Sequence, residues 1–188
     1  MRRSTIIRAF TLILATLVAS GGAFLLAIGG LPDRYEFTGY LNDSGLFIAP
    51  ETGAKAPDVT LNLLDGTRFS LSVTTGKLIV LNFWATWCGP CRAEMADLQA
   101  IHTDYEDSIH IIGINAGERR TDVMNWVHDL DLTFDIAIDR DGLVSETYQV
   151  RGLPTTVVIN PAGQIVTIYY GPISYATLQQ HIQSLSSE

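Results

Sequence analysis

A nearly continuous apolar run, Leu78-Ile79-Val80-Leu81-Asn82-Phe83, leads through Trp84-Ala85-Thr86-Trp87 directly into Cys88-Gly89-Pro90-Cys91. A short run of this kind is the pattern of a strand buried on both faces. Beyond the cysteines, Met95, Leu98, Ile101 and Tyr105 recur at helical spacing, with Arg92, Asp97, Gln99 and Asp104 on the other faces. That spacing predicts a helix from Pro90 to Tyr105. A buried strand that enters a helix through a C-x-x-C turn confines the chain to a sheet covered by helices, with two sulfurs at a helix start.

The flanking segments agree with that frame. Val59–Leu64 and Arg68–Leu71 read as short strands joined through Asp65-Gly66, a dipeptide suited to a hairpin turn. Ile109–Asn115 and Phe134–Ile138 read as strands, Asp122–Leu130 and Gly142–Tyr148 as helices. Thr155–Ile159 and Ile165–Tyr169 are strands flanking the turn Asn160-Pro161-Ala162-Gly163, and Tyr175–Leu185 closes the chain as an amphipathic helix. The prediction is an α/β domain over residues 55–188, a central mixed β-sheet flanked by helices and opened by an extra N-terminal hairpin. Residues 29–54, turn-rich and weakly periodic, read as a tether and local cover.

Only two cysteines occur among the 188 residues. A structural zinc site needs four Cys or His ligands, and His102, His110, His128 and His181 follow at no regular spacing, so no metal is expected. A purely structural disulfide across so short a loop would constrain little of the unfolded chain, because the entropic gain grows with loop length. Chemistry is the better reading of the spacing. Cys88 falls where unsatisfied N–H groups and the helix dipole favour an anion, which lowers a thiol pKa and suits repeated disulfide exchange. Cys91 lies about one turn further on and can reach the first sulfur, while Pro90 fits the first helical turn, where a missing N–H is harmless. The pair is its own redox centre, a Cys88–Cys91 disulfide when oxidised, with no separate cofactor expected.

Arg2, Arg3 and Arg8 precede an uncharged apolar stretch from Ala9 to Ile28, and Asp33 follows it. Its length matches the roughly 20 residues that a membrane-crossing helix needs. The flanking charges predict residues 1–8 in the cytoplasm, 9–28 as a single anchor in the lipid bilayer of the cell membrane, and the body on the extracytoplasmic, periplasmic side. Ala19-Ser20-Gly21-Gly22-Ala23 offers a signal-cleavage site, but the apolar run resumes as Phe24-Leu25-Leu26-Ala27-Ile28, which favours an uncleaved anchor. The totals of 12 Lys+Arg against 20 Asp+Glu, with three of the arginines in the leader, leave an acidic body that excludes nucleic acid as a partner.

The run Asn82-Phe83-Trp84-Ala85-Thr86-Trp87-Cys88-Gly89-Pro90-Cys91-Arg92-Ala93-Glu94 resembles the active-site segment of thioredoxin-like proteins. It is most similar to the exported TlpA/ResA/CcmG branch of membrane-anchored thiol-disulfide oxidoreductases. The resemblance continues through Ala56-Pro57-Asp58, Gly113-Ile114-Asn115-Ala116-Gly117-Glu118 and Gly152-Leu153-Pro154-Thr155-Thr156, covering roughly residues 55 to 185. It implies a thioredoxin-like fold and a cis bond at Pro154 beside the cysteines. It also implies that Trp87, Gly89, Pro90, Leu153, Pro154 and Thr155 form the surface that takes a substrate chain. Asn82 stands where cytoplasmic thioredoxins carry a buried aspartate, and an amide shuttles no protons. Glu94, three residues after Cys91 and on its side of the helix, resembles the glutamate that replaces it and is placed to take the proton of the resolving thiol. Glu118 matches the branch as an auxiliary residue, although by local pattern it reads as an exposed loop at a helix start.

The activity so implied is reduction of disulfides in exported proteins, apocytochrome c during cytochrome c maturation among them, with electrons from a membrane thiol donor. The alternatives are reduction of a copper-site dithiol in oxidase assembly, or a metallochaperone holding copper on Cys88 and Cys91. Copper carriers of similar fold space their cysteines more widely and add a histidine before the last strands, where this chain has Gly152-Leu153.

Overall fold

The computed structural model describes residues 39–73 and 76–185. The proposed anchor and leader lie outside them, and among the described residues no helix is long and apolar enough to cross a membrane.

The strand leading to the cysteines, β5 (Leu78–Trp84), is buried at all seven positions. It is the centre of a five-stranded sheet ordered β7-β6-β5-β8-β9, with β6 at Ile109–Asn115, β7 at Asp135–Ile138, β8 at Thr155–Ile159 and β9 at Ile165–Tyr170. β5, β6 and β7 run parallel, whereas β8 is antiparallel to β5 and β9 to β8. Helix α1 (Gly89–Asp104) follows β5, α2 (Arg120–Asp129) follows β6, the short α3 (Leu143–Thr147) follows β7, and α4 (Tyr175–Leu185) ends the described chain. The elements predicted between residues 55 and 185 are present, with ends moved by at most two residues.

Successive side chains of a strand point to opposite faces, so the parity of β5 sorts the core. Leu78, Val80 and Trp84 pack with Met95, Leu98 and Ile101 of α1 and Leu178 and Ile182 of α4. Ile79, Leu81 and Phe83 pack on the other face with Leu61, Leu63, Phe69, Val144 and Tyr148. Each such fully buried side chain contributes about 1.5–3 kcal/mol, which is why β5 tolerates one amide, Asn82, only if its polar atoms find partners. By parity Asn82 faces α1.

The opening hairpin, β3 (Thr60–Asn62) and β4 (Arg68–Ser70), stands apart from the main sheet and covers its β7 edge. The Leu64 N–H donates to the Ile136 carbonyl at 2.7 Å, and Leu63 bridges Ala137. A second small hairpin, β1 (Tyr40–Leu41) with β2 (Phe47–Ile48), precedes it. Within residues 39–54, Gly53 N–H donates to Ile165 O, Ile165 N–H to Ala54 O, and Ala49 and Ala54 are buried. Two-residue strands carry no periodicity that a sequence pattern can show.

Candidate active site

Cys88 caps α1 from an extended backbone (φ −84°, ψ 105°), and its Sγ accepts the Cys91 N–H at 3.2 Å. Pro90 occupies the first turn of the helix. The two sulfurs are joined at 2.04 Å. Cys88 retains 5% exposure and Cys91 none, so an incoming sulfur can meet only Cys88. The sulfur that accepts an amide proton at a helix start is the one whose anion is stabilised there.

One turn behind Cys91, Glu94 points inward and is 2% exposed. Its Oε1 accepts from Asn82 Nδ2 at 2.8 Å and its Oε2 from the Ile173 N–H at 2.9 Å. Asn82 Nδ2 also donates to Thr156 Oγ1 at 3.0 Å, across the β5–β8 register in which the two residues are paired. Burial pushes the Glu94 carboxyl up to about 7, against the two hydrogen bonds that favour its charged form. Asn82, which by itself shuttles no proton, thus holds Glu94 together with the Ile173 N–H.

Glu118 is not the exposed loop residue of the local pattern. Its carboxylate accepts from Thr86 N–H at 2.7 Å, Thr86 Oγ1 at 2.6 Å and Asn115 Nδ2 at 2.7 Å, and its own N–H donates to Asn115 Oδ1 at 3.0 Å. It brackets the turn between β5 and Cys88. Burial raises its pKa, but the bonds from Thr86 and Asn115 outweigh that and hold it below the usual carboxylate range. Gly117 makes the approach possible at φ +79°, where a Cβ would come within 3.0 Å of the Asp139 carbonyl.

The Leu153–Pro154 peptide is cis. Thr155 pairs with Phe83, so this bond falls at the end of the sheet where β5 delivers the cysteines. Trp87, 73% exposed, Gly89 and Pro90 lie at the surface beside Cys88, and Leu153 is half-buried. Thr155 is buried, and its Oγ1 donates to Gly152 O at 2.8 Å. Tyr170, which no local pattern marked, is 74% exposed and paired with Thr155, while Gly171 N–H donates to Pro154 O. Trp84 is a core residue, stacked on Trp126 at 4.4 Å, with Arg92 5.9 Å over the Trp126 ring. Among the described residues no group of three His, Cys, Asp or Glu could hold a metal. His110 pairs with Asp135 at 2.7 Å and His181 with the Tyr169 hydroxyl at 2.9 Å.

The AhpC/TSA family model matches residues 52–168. The thiol-disulfide oxidoreductase ResA of Geobacillus thermodenitrificans is 35% identical over 79% of this chain and 86% of its own, and that of Bacillus cereus 34% identical over 86% and 92%. The crystal structure of a putative thiol:disulfide interchange protein DsbE from Chlorobium tepidum superposes with a TM-score of 0.66 at 29% identity, covering 71% of this chain and 96% of the other. With an accessible and a buried cysteine at a helix start and the cis-proline at the same sheet end, the chain belongs to the thioredoxin-like AhpC/TSA family, in its ResA- and DsbE-related branch, and is a thiol-disulfide oxidoreductase.

Proposed function

We propose that this protein reduces disulfides in exported proteins, the haem-attachment cysteines of apocytochrome c among them, and is re-reduced by a thiol carrier in the membrane. The carrying observation is Glu94, a buried carboxylate one turn behind Cys91 whose proton affinity is set near neutrality. Such a group takes a thiol proton and releases it again within ordinary pH.

The Cys88 thiolate attacks one sulfur of a substrate disulfide. A Cys88–substrate bond forms, and the other substrate sulfur leaves as a thiolate that is protonated by solvent. Cys91 then loses its proton to Glu94, and its sulfur attacks the Cys88 sulfur. The Cys88–substrate bond breaks, and the second substrate sulfur leaves as a thiolate. Two electrons have passed from the dithiol to the substrate, and the oxidised pair is the disulfide present here. Trp87, Gly89, Pro90 and the Leu153–Pro154 backbone supply the docking surface, with the domain held outside the cytoplasm by residues 9–28.

A Cys91→Ala variant stalls at the Cys88–substrate stage. Expressed as the full chain, it captures exported proteins with paired cysteines, haem-attachment motifs among them, identified by mass spectrometry after reduction. Capture no greater than that of a Cys88→Ala, Cys91→Ala control, together with stoichiometric retained copper, would replace this reading with the metallochaperone.

A further inference from the structure

Asn82 is fully buried and uses only one of its two polar atoms. Nδ2 donates to both Glu94 Oε1 and Thr156 Oγ1, whereas Oδ1 has no partner. An amide held from both sides would be locked; this one is held from one side. Glu94 is held differently at its two oxygens, since the donor on Oε2 is the backbone N–H of Ile173, which cannot become an acceptor. A proton arriving on Oε2 would face that N–H. A proton arriving on Oε1 faces an amide that exchanges donor for acceptor by a half turn about its last bond.

We propose that Asn82 is a positioning residue that turns its amide when Glu94 gains the Cys91 proton, so that the proton resides on Oε1. In the charged state Nδ2 donates to Oε1, as in this structure. In the neutral state Oδ1 accepts from the Glu94 hydroxyl, and the Thr156 hydroxyl, which acts as either partner, rotates to donate to the same oxygen. Each orientation makes two hydrogen bonds through one amide atom and leaves the other bare, so the protonation state of Glu94 selects between them. An aspartate at this position would add a second acid; the amide adds a hydrogen-bond partner that follows a single acid.

The electrostatic surroundings keep that exchange local. β5 and β8 contain no ionisable side chain, and neither does the segment Gly171-Pro172-Ile173-Ser174 that supplies the Oε2 donor. On its own helix, Glu94 has Cys88 and Cys91, joined here, Arg92, which lies over the Trp126 ring, and Asp97, which accepts from the Tyr175 N–H; on α4, which packs against α1, Tyr175 donates to Asp104 and His181 pairs with the Tyr169 hydroxyl. The inference rests on Glu94 being the proton acceptor of the proposed reaction.

The test follows carboxyl carbons and asparagine side-chain amides by NMR on the oxidised full chain from about pH 5 to about pH 9, bracketing the Glu94 midpoint. Glu94 is assigned through the Glu94→Gln variant. Above its midpoint, the Asn82 amide protons show a strong Overhauser contact to Thr156; below it, that contact is lost while the Glu94 carbon shifts. A contact that stays constant across an observed Glu94 titration overturns the amide turn and leaves the acceptor role of Glu94 standing. A Glu94 carbon that does not titrate overturns both. In function, Asn82→Leu, which neither donates nor accepts, moves the pH midpoint of mixed-disulfide resolution upward by about one pH unit or more. Asn82→Ser, whose hydroxyl donates or accepts by rotation, moves it back toward the parent value. Equal midpoints in the two variants would overturn the proposal.

Discussion

Glu94, one turn beyond Cys91, and Glu118, bound to Thr86 ahead of Cys88, are both hydrogen-bonded carboxylates, and they are driven in opposite directions. Glu94 has two donors and almost no exposure, and burial raises it to about 7. Glu118 keeps part of its surface in solvent and collects three donors, so that despite the opposing push of burial it stays charged below the usual range. Presence of hydrogen bonds does not by itself decide what a carboxylate is for. Desolvation against donor number does: the first leaves a group that exchanges a proton near neutrality, the second a permanent anion that fixes backbone.

The largest break in that comparison comes from Glu94→Gln. With Glu94 as the proposed general base, its loss should cost about a hundredfold or more in rate, read as the resolution of a Cys88 mixed disulfide by Cys91 in stopped flow, with the first attack by Cys88 little changed. Stability moves the other way. Because the folded value of Glu94 lies above the ordinary one, the folded state holds a proton that the unfolded state has released between about pH 4.5 and about pH 7. Its contribution is therefore full at the acid end and is lost as pH rises, by on the order of 3 kcal/mol across the window. Urea melts of the oxidised wild-type protein should show that fall, and the variant should not. Parallel stability–pH curves for the two proteins would show that Glu94 titrates normally.

Glu118 supplies the opposite sign at smaller size. Its folded value is depressed, so its contribution is present above the ordinary carboxylate range and is lost as pH falls through the folded value. Glu118→Ala strands the Thr86 and Asn115 donors and costs about 2 kcal/mol at neutral pH by denaturant melts. The Cys88 attack slows through a loosened turn, while the pH midpoint of the Cys91 step stays in place. A shifted midpoint would make Glu118 part of the proton path and erase the contrast with Glu94.

How far these two roles can be read without coordinates differs for physical reasons. β5, α1 and the sheet that they imply were legible because burial of a whole strand and a helical stripe leave local patterns. Helical spacing also put Glu94 beside Cys91. The Asn82–Glu94 contact spans a strand and a helix; parity on β5 turns Asn82 toward α1, but only packing brings the two within 2.8 Å. Glu118 reaches Thr86, 32 residues away, because β5 and β6 are parallel neighbours that put Trp84 beside Asn115. Its own surroundings, Gly117 and Arg119-Arg120, read as any loop. The burial of Thr155 is likewise not legible locally, since a position at the end of a strand does not say which way the strand turns its side chain.

The smallest effect isolates one bond of the clamp. Thr86 gives Glu118 both a backbone N–H and a hydroxyl, the latter at 2.6 Å. Thr86→Ala removes the hydroxyl together with the γ-methyl, and the half-buried carboxylate keeps the N–H of residue 86 and Asn115 Nδ2. A charge-assisted bond with some solvent access is worth about 1 kcal/mol or slightly more, so the melt should shift by about half the loss seen for Glu118→Ala. Thr86→Ser retains the donor without the methyl and should recover most of that. Because three donors hold the Glu118 pKa down, loss of one should also move the acid limb of the stability curve toward the ordinary carboxylate range. If Thr86→Ser is as unstable as Thr86→Ala, the methyl packing carries the site, and donor number no longer explains why Glu118 stays charged where Glu94 does not.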